Sequence, residues 1–268
     1  AVTQHIVNWL RDYATNAKVK GFVVGISGGI DSAVTSTLCA QTGMPTLCVE
    51  MPIHQAQSHV TRGREHITSL KEKYSNVTSV EADLTPVFET FRQQVPQYDN
   101  EQLLNLTLAN TRARLRMTTL YYFAGLHSAL VAGTGNKIED FGVGFFTKYG
   151  DGGVDISPIA DLLKSEVREL AKHLEVPTSI IAAKPTDGLF GDDRSDEDQL
   201  GASYSELEWA MQEAGRGKTE EDFEGREKEV TPRRYFGPLH GELAPHCGVG
   251  ESRRRLRAHP AQRGIPRG

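Results

Sequence analysis

The stretch GFVVGISGGIDSAV, residues 21–34, decides how the rest of the chain is read. Residues 22–26 are apolar and partly β-branched, the pattern of a strand buried on both faces of a parallel sheet. The run meets a glycine pair, Gly28 and Gly29, and then a helical pattern over residues 32–41, with Ala33, Val34, Thr37 and Leu38 on one stripe. In a strand–loop–helix unit, ligands sit beyond the carboxyl end of the strand. The two glycines remove side chains where the backbone must approach a ligand. Their amides, with those opening the helix, converge on an anion. Ser27 and Ser32 add hydroxyl donors, and the set suits a phosphate or pyrophosphate. Asp31 would repel a bare phosphate. A divalent cation between the two explains it, because Mg²⁺ binds through one or two carboxylates plus phosphate oxygens. The loop lacks the lysine of G-x-x-x-x-G-K-[ST] and the spacing of G-x-G-x-x-G. By itself, a glycine pair before a helix is also an ordinary turn.

Outward from this loop, strand and helix patterns alternate. Residues 3–17 place Ile6, Val7, Leu10 and Ala14 on one helical face. Strands are expected at 45–51, 76–80 and 129–132, and helices at 55–73, 101–124 and 161–174. The longest helix repeats Leu103, Leu106, Asn110, Ala113, Met117, Leu120 and Ala124 at spacings of three and four. This alternation predicts an α/β fold: a doubly wound, Rossmann-like parallel sheet with helices on both faces. At 268 residues, 38% hydrophobic and 24% charged, the chain fits an ordinary globular protein. Its net charge of −5 argues against nucleic acid as a partner, and no run is long and apolar enough to span a membrane. Three scattered cysteines, Cys39, Cys48 and Cys247, make neither a disulfide framework nor a zinc site, which points to the cytoplasm. His54, His59 and His66 lack the i, i+4 spacing of a helical metal pair and are expected to make surface or local polar contacts.

Composition changes after Val230. Residues 231–268 hold eight Arg, no Lys, five Pro and six Gly, a formal +6 against −11 for the rest. Residues 1–230 therefore read as one domain and 231–268 as an atypical tail.

The motif SGGIDS resembles the pyrophosphate loop of the N-type ATP pyrophosphatases, which are adenine-nucleotide α-hydrolase-like proteins. Three further stretches narrow the resemblance to the ammonia-dependent NAD synthetases. They are GTGNKIEDFGVGFFTKYGDGGVDISPIADLLKSEV (133–167), NTRARLRM (110–117) and KPTDGLFGDDRSDEDQLGASYSELEWAM (184–211). The resemblance implies an ATP site formed by Gly25, Ile26, Ser27, Gly28, Gly29, Ile30, Asp31, Ser32, Thr134, Lys164 and Thr186. It implies Mg²⁺ on Asp31 and Glu139, and deamido-NAD contacts from Arg114, Lys148 and Asp155. Arg112 and Arg116 are expected to be solvated or interfacial. Without the resemblance, Lys164 would be one exposed helix lysine among many, and Glu139 a solvated loop acid. Phe145 and Phe146 are expected to wall the nicotinate end. Gly150, Gly152 and Gly153 are expected to turn the chain sharply against a flat ligand. Residues 186–203 are expected to form a mobile flap over the substrates.

No Ser–His–Asp or Cys–His arrangement is visible, and the reaction implied needs none. The nicotinate carboxylate of deamido-NAD would attack ATP at the α-phosphorus, and ammonia would then displace AMP. Asp31 and Lys164 would stabilise charge. About 20 residues precede the loop, and no suitable cysteine appears, so free ammonia is expected rather than glutamine. The family implies a homodimer. The resemblance stops near Val230, where the family's His-Lys pair is missing; His240 and His246 are the nearest substitutes, and the bias of the tail suggests an altered coding end. Two alternatives stay open at this level: a non-catalytic nucleotide-binding protein, and another adenylating enzyme with the same loop.

Overall fold

The structure is a computed structural model that describes residues 1–96, 98–186 and 195–231. The tail from 232 onward lies outside the described residues, and so do His240 and His246. Four parallel strands, β1 (Phe22–Gly25), β2 (Thr46–Glu50), β3 (Val77–Glu81) and β4 (Leu130–Val131), pair in the order β3-β2-β1-β4. The chain thus steps outward from β1 to β3 and then returns to the other side of β1. That reversal opens a crevice at the carboxyl ends of β1 and β4. A parallel bridge from Ala132 to Ile156 continues the edge beyond β4.

Helices cover both faces, as the alternation of patterns requires. On one face, α1 (Val2–Asn16), α2 (Ile30–Gln41), α3 (Gln57–Lys73), α6 (Lys164–His173) and α7 (Thr178–Ile181) enclose Leu10, Phe22, Val24, Leu38, Ile67 and Val167. On the other, α4 (Thr85–Gln94) and α5 (Glu101–His127) enclose Val23, Val49, Phe88, Leu108 and Val131. Alternate residues of β1 thereby serve opposite cores, the arrangement that a strand buried on both faces demands. A third cluster joins Ile138 and Val143 to α8 (Asp196–Leu200), α9 (Tyr204–Gly215) and α10 (Gly225–Val230).

Several boundaries differ from the sequence reading. Helix α2 starts at Ile30, so Asp31 and Ser32 lie in its first turn. Helix α6 starts at Lys164 instead of residue 161. Helix α4 has no counterpart among the expected elements; Asp83 accepts from the Thr85 amide at its start, and Pro86 fits the first turn. Residues 137–143 form a π-helix where no element was expected. Part of the expected flap is helix: Ser195 caps α8, and Leu200 and Ala202 are buried. The remainder of the flap, 187–194, lies outside the described residues.

The histidines also divide. His54 is exposed beside Glu89. His66 is buried, 1% exposed, with Nε2 2.8 Å from Ser36 Oγ. Ser36 Oγ donates to the Ser32 carbonyl, so the imidazole donates from Nε2 and leaves Nδ1 as a buried nitrogen with no partner among the described residues. Burial, then the charge of Lys73, pushes the His66 pKa down to about 4. A histidine depressed in the fold stabilises fully above its unfolded pKa, near 6.5. That contribution is lost as pH falls through the folded value. Between pH 6.5 and 4 the native state should lose about 3 kcal/mol through this group. The urea midpoint measured against pH should show that slope, and His66→Gln should flatten it. An unchanged slope would place the titration elsewhere.

Candidate active site

The glycine loop is held by its own hydroxyls. Ser32 Oγ donates to the Gly29 carbonyl at 2.9 Å and accepts from the Ser27 amide at 3.3 Å. Ser27 Oγ lies 3.1 Å from Ser32 Oγ and accepts from the Gly29 amide at 3.2 Å. Gly28 has φ +79°, and a Cβ there would stand 2.3 Å from the His59 carbonyl oxygen. Only glycine meets both conditions. The loop leads into α2, whose first-turn amides have no intrahelical acceptors, so the bend presents an array of N–H donors at the sheet edge.

Beside these donors lies a buried charge cluster. Lys164, 2% exposed, donates from Nζ to Asp31 Oδ2 at 2.6 Å and to Glu139 Oε1 at 2.9 Å. Lys164 is therefore not the exposed helix lysine that its spacing suggests; its position at the start of α6 points it inward. Asn136 is completely buried. Its amide donates to Asp31 Oδ1 at 3.0 Å, and its oxygen caps the π-helix at the Ile138 and Glu139 amides. Tyr204 donates to Glu139 Oε1 at 2.6 Å and places its ring 4.9 Å from Lys164 Nζ. Burial disfavours the Lys164 charge, but the two carboxylates outweigh it and its pKa is raised. Burial would raise Glu139 as well, yet Lys164 and the bonds from Tyr204 hold it below the usual range. At Asp31, burial wins over Lys164 and the pKa rises. Burial and Glu139 push Tyr204 well above its ordinary value, so it remains a donor.

The loop and the cluster open on one cavity of about 250 Å³ at the β1–β4 crevice. All eleven residues expected around ATP line it: Gly25, Ile26, Ser27, Gly28, Gly29, Ile30, Asp31, Ser32, Thr134, Lys164 and Thr186; Glu139 does too. The three expected deamido-NAD residues do not. Arg114 Nε donates to the Lys148 carbonyl at 3.1 Å, and the Lys148 ammonium sits over the Tyr149 ring. Both oxygens of Asp155 are engaged, one with the Tyr121 hydroxyl at 3.0 Å and one with the Val131 amide at 2.8 Å. Arg114 and Tyr121 lie seven positions apart, on the same side of α5.

Other expectations need correction. Arg116 is not solvated: it lines the cavity, with Nε on the Met51 carbonyl and Nη2 on Gln55. Arg112 stacks its guanidinium on Phe88, 4.4 Å from the ring centre. Phe145 lines the cavity, but Phe146 packs over Gly152. The chain does turn at Gly150, Gly152 and Gly153, the Gly150 and Gly152 amides both donating to the Thr147 carbonyl. Added Cβ atoms there would strike Ala113 and Thr147, Phe146, and Met117 respectively, so these glycines serve the packing of their own loop, and of the three only Gly150 lines the cavity. Asn136 was findable from its N-capping type after GTG; Tyr204, Arg62 and Gln55 carried no local signal.

The donor set fits a divalent cation. Two part-buried carboxylates from separate segments converge on one cationic atom, next to a phosphate-type loop.

Fold and site together define a doubly wound α/β protein with a nucleotide-type loop at its topological switch point. The NAD synthase family model matches residues 2–234. The NH₃-dependent NAD⁺ synthetase of Mesoplasma florum is 39% identical over 206 residues, covering 76% of this chain and 81% of that protein. Among solved structures, the NMN synthetase of Francisella tularensis aligns with a TM-score of 0.73 and 31% identity, covering 98% of this chain and 97% of that one. The NH₃-dependent NAD synthetase of Campylobacter jejuni aligns at 0.68 and 25%, covering 87% and 91%. The chain belongs to the NAD synthase family.

Proposed function

We propose that this protein is a carbon–nitrogen ligase that amidates the nicotinate carboxyl of deamido-NAD with ammonia, driven by ATP. The observation that carries the reading is the convergence of the loop after β1, the turn after β4, Lys164 and Thr186 on one cavity. A carboxylate oxygen of nicotinate attacks the α-phosphorus, and the bond to the β-phosphate bridging oxygen breaks. Pyrophosphate leaves, and a nicotinyl adenylate remains. Ammonia attacks the carbonyl carbon of that mixed anhydride, loses a proton, and expels AMP. The loop amides, Ser27, Ser32 and Lys164 supply fixed positive potential where charge accumulates on the departing group. Asp31 and Glu139 would hold Mg²⁺, which when bound neutralises phosphate charge. Arg114, Lys148 and Asp155 form the proposed acceptor contacts, on the α5 side of the site. The same reading takes residues 1–230 as one cytoplasmic catalytic domain that pairs as a homodimer. Exposed Tyr122 and Leu126 on α5 support the pairing, and among the described residues no helix is long and apolar enough to cross a membrane.

Pyrophosphate release measured with ATP, Mg²⁺, deamido-NAD and ammonium tests the reaction. Release should require the acceptor, and the amide should form with ammonium but not with glutamine. ATP binding without release would leave a nucleotide-binding protein instead. One observation favours a second acceptor: the near full-length match to the Francisella tularensis protein. Nicotinate mononucleotide should therefore be assayed beside deamido-NAD, and the larger kcat/KM identifies the acceptor.

A further inference from the structure

Helix α3 grips the glycine loop through its first two turns. The His59 carbonyl occupies the space that a Gly28 side chain would need. Three residues on, Arg62 Nε donates to the Gly28 carbonyl at 3.2 Å. Both His59 and Arg62 line the cavity. Burial, then the neighbouring Arg62 charge, lowers the His59 pKa, so this histidine is the neutral member of the grip. Arg62 is half-buried and has no carboxylate partner among the described residues. A guanidinium carries five N–H donors in a planar fork, and one is spent on Gly28. The other cations lining the cavity differ. Lys164 is matched by Asp31 and Glu139, and Arg116 is drawn to Met51 and Gln55. Arg168 and Lys184 are exposed, with no bond that fixes them in the cavity.

We propose that Arg62 is a phosphate-binding residue: its Nε fixes the loop while its terminal nitrogens meet the β- and γ-phosphates that leave as pyrophosphate. The inference rests on the ATP-dependent reading above. A pinned guanidinium suits this task because its fork pairs with two phosphate oxygens and loses little freedom on binding. It also links the two jobs of the loop, since the residue that sets the Gly28 carbonyl would also meet the group being expelled. Arg62 adds positive charge from α3 to the cavity that Asp31, Glu139 and Lys164 also line.

The test is equilibrium binding of pyrophosphate and of AMP, each with Mg²⁺, to the full chain and to its Arg62→Ala and Arg62→Gln variants. Glutamine keeps a donor for the Gly28 carbonyl but carries no charge, so it separates loop support from phosphate binding. Both variants should bind pyrophosphate at least about tenfold more weakly. AMP affinity should stay within about twofold, because AMP keeps only the α-phosphate. Arg62→Lys should recover part of the pyrophosphate affinity as a point charge. Unchanged pyrophosphate binding in the glutamine variant overturns the proposal. Equal weakening of both ligands also overturns it, because that is the mark of a distorted loop. If the parent binds neither ligand, this proposal and the ATP reading fail together. If the parent shows the pyrophosphate difference but never forms an amide, the reaction assignment fails and the role of Arg62 stands.

Discussion

Replacing Lys164 with methionine should cost about 2–4 kcal/mol of stability near neutral pH, because it leaves two largely buried carboxylates facing each other without their cation. Lys164 is 2% exposed and bonded to both Asp31 and Glu139, whose side chains are 17% and 15% exposed where they line the cavity, so water can replace only part of its charge. Turnover should fall at least about 100-fold, since the same ammonium supplies fixed potential beside the phosphate loop. The stability loss should depend on pH with a definite sign. Asp31 already has a raised pKa, burial outweighing Lys164. A carboxyl raised in the fold contributes stability at low pH and loses it as pH rises through the folded value. Removing Lys164 raises that value further. The gap between parent and variant should therefore be widest near neutrality and narrow toward pH 4. Urea unfolding across that range checks it. A variant as stable as the parent at pH 7 would mean that Lys164 is not the counter-ion of the cluster.

Gly28→Ala should be nearly as damaging, for a backbone reason. At φ +79° a side chain is strained, and its Cβ would meet the His59 carbonyl oxygen at 2.3 Å. Backbone cannot yield as a side-chain tip can, so the loop or α3 must move. A displacement of about 1 Å at a phosphate-binding loop is enough for a 100-fold loss in kcat/KM. Gly29→Ala is the internal control. Gly29 has φ −97°, and its added Cβ meets only the Ser27 hydroxyl, at 3.3 Å. Its loss of kcat/KM should be smaller by about tenfold or more. Steady-state kinetics with ATP varied separates the two, and equal losses would contradict the packing of α3 on Gly28.

Both cysteines in the described residues fit the reading of a chain without thiol chemistry. Cys39 and Cys48 are buried, and burial raises both thiols, Cys48 to about 12. They are core residues that keep their protons at any physiological pH.

The sequence by itself determined those features that depend on local pattern. A continuous apolar run located β1, period-3.6 hydrophobicity located α1, α2 and the long α5, and the alternation of strands with helices implied a parallel sheet. The motif GISGGIDS marked the loop, because glycine pairs, hydroxyls and an acid at that spacing have few other uses. Features that join distant segments were not legible. Lys164 and Asp31 are 133 positions apart, and only the packing of α6 against α2 turns a surface-type lysine into a buried counter-ion. Tyr204 reaches Glu139 because α9 docks on the π-helix, and no local signal in its sequence announces that. Arg116 and Arg62 are ordinary helix arginines until α5 and α3 are laid beside the cavity. Local sequence sets what each segment can become through short-range sterics and hydrogen bonding. Which charges end up out of water, and beside which partners, is decided only when the helices pack and exclude the solvent that would otherwise screen them.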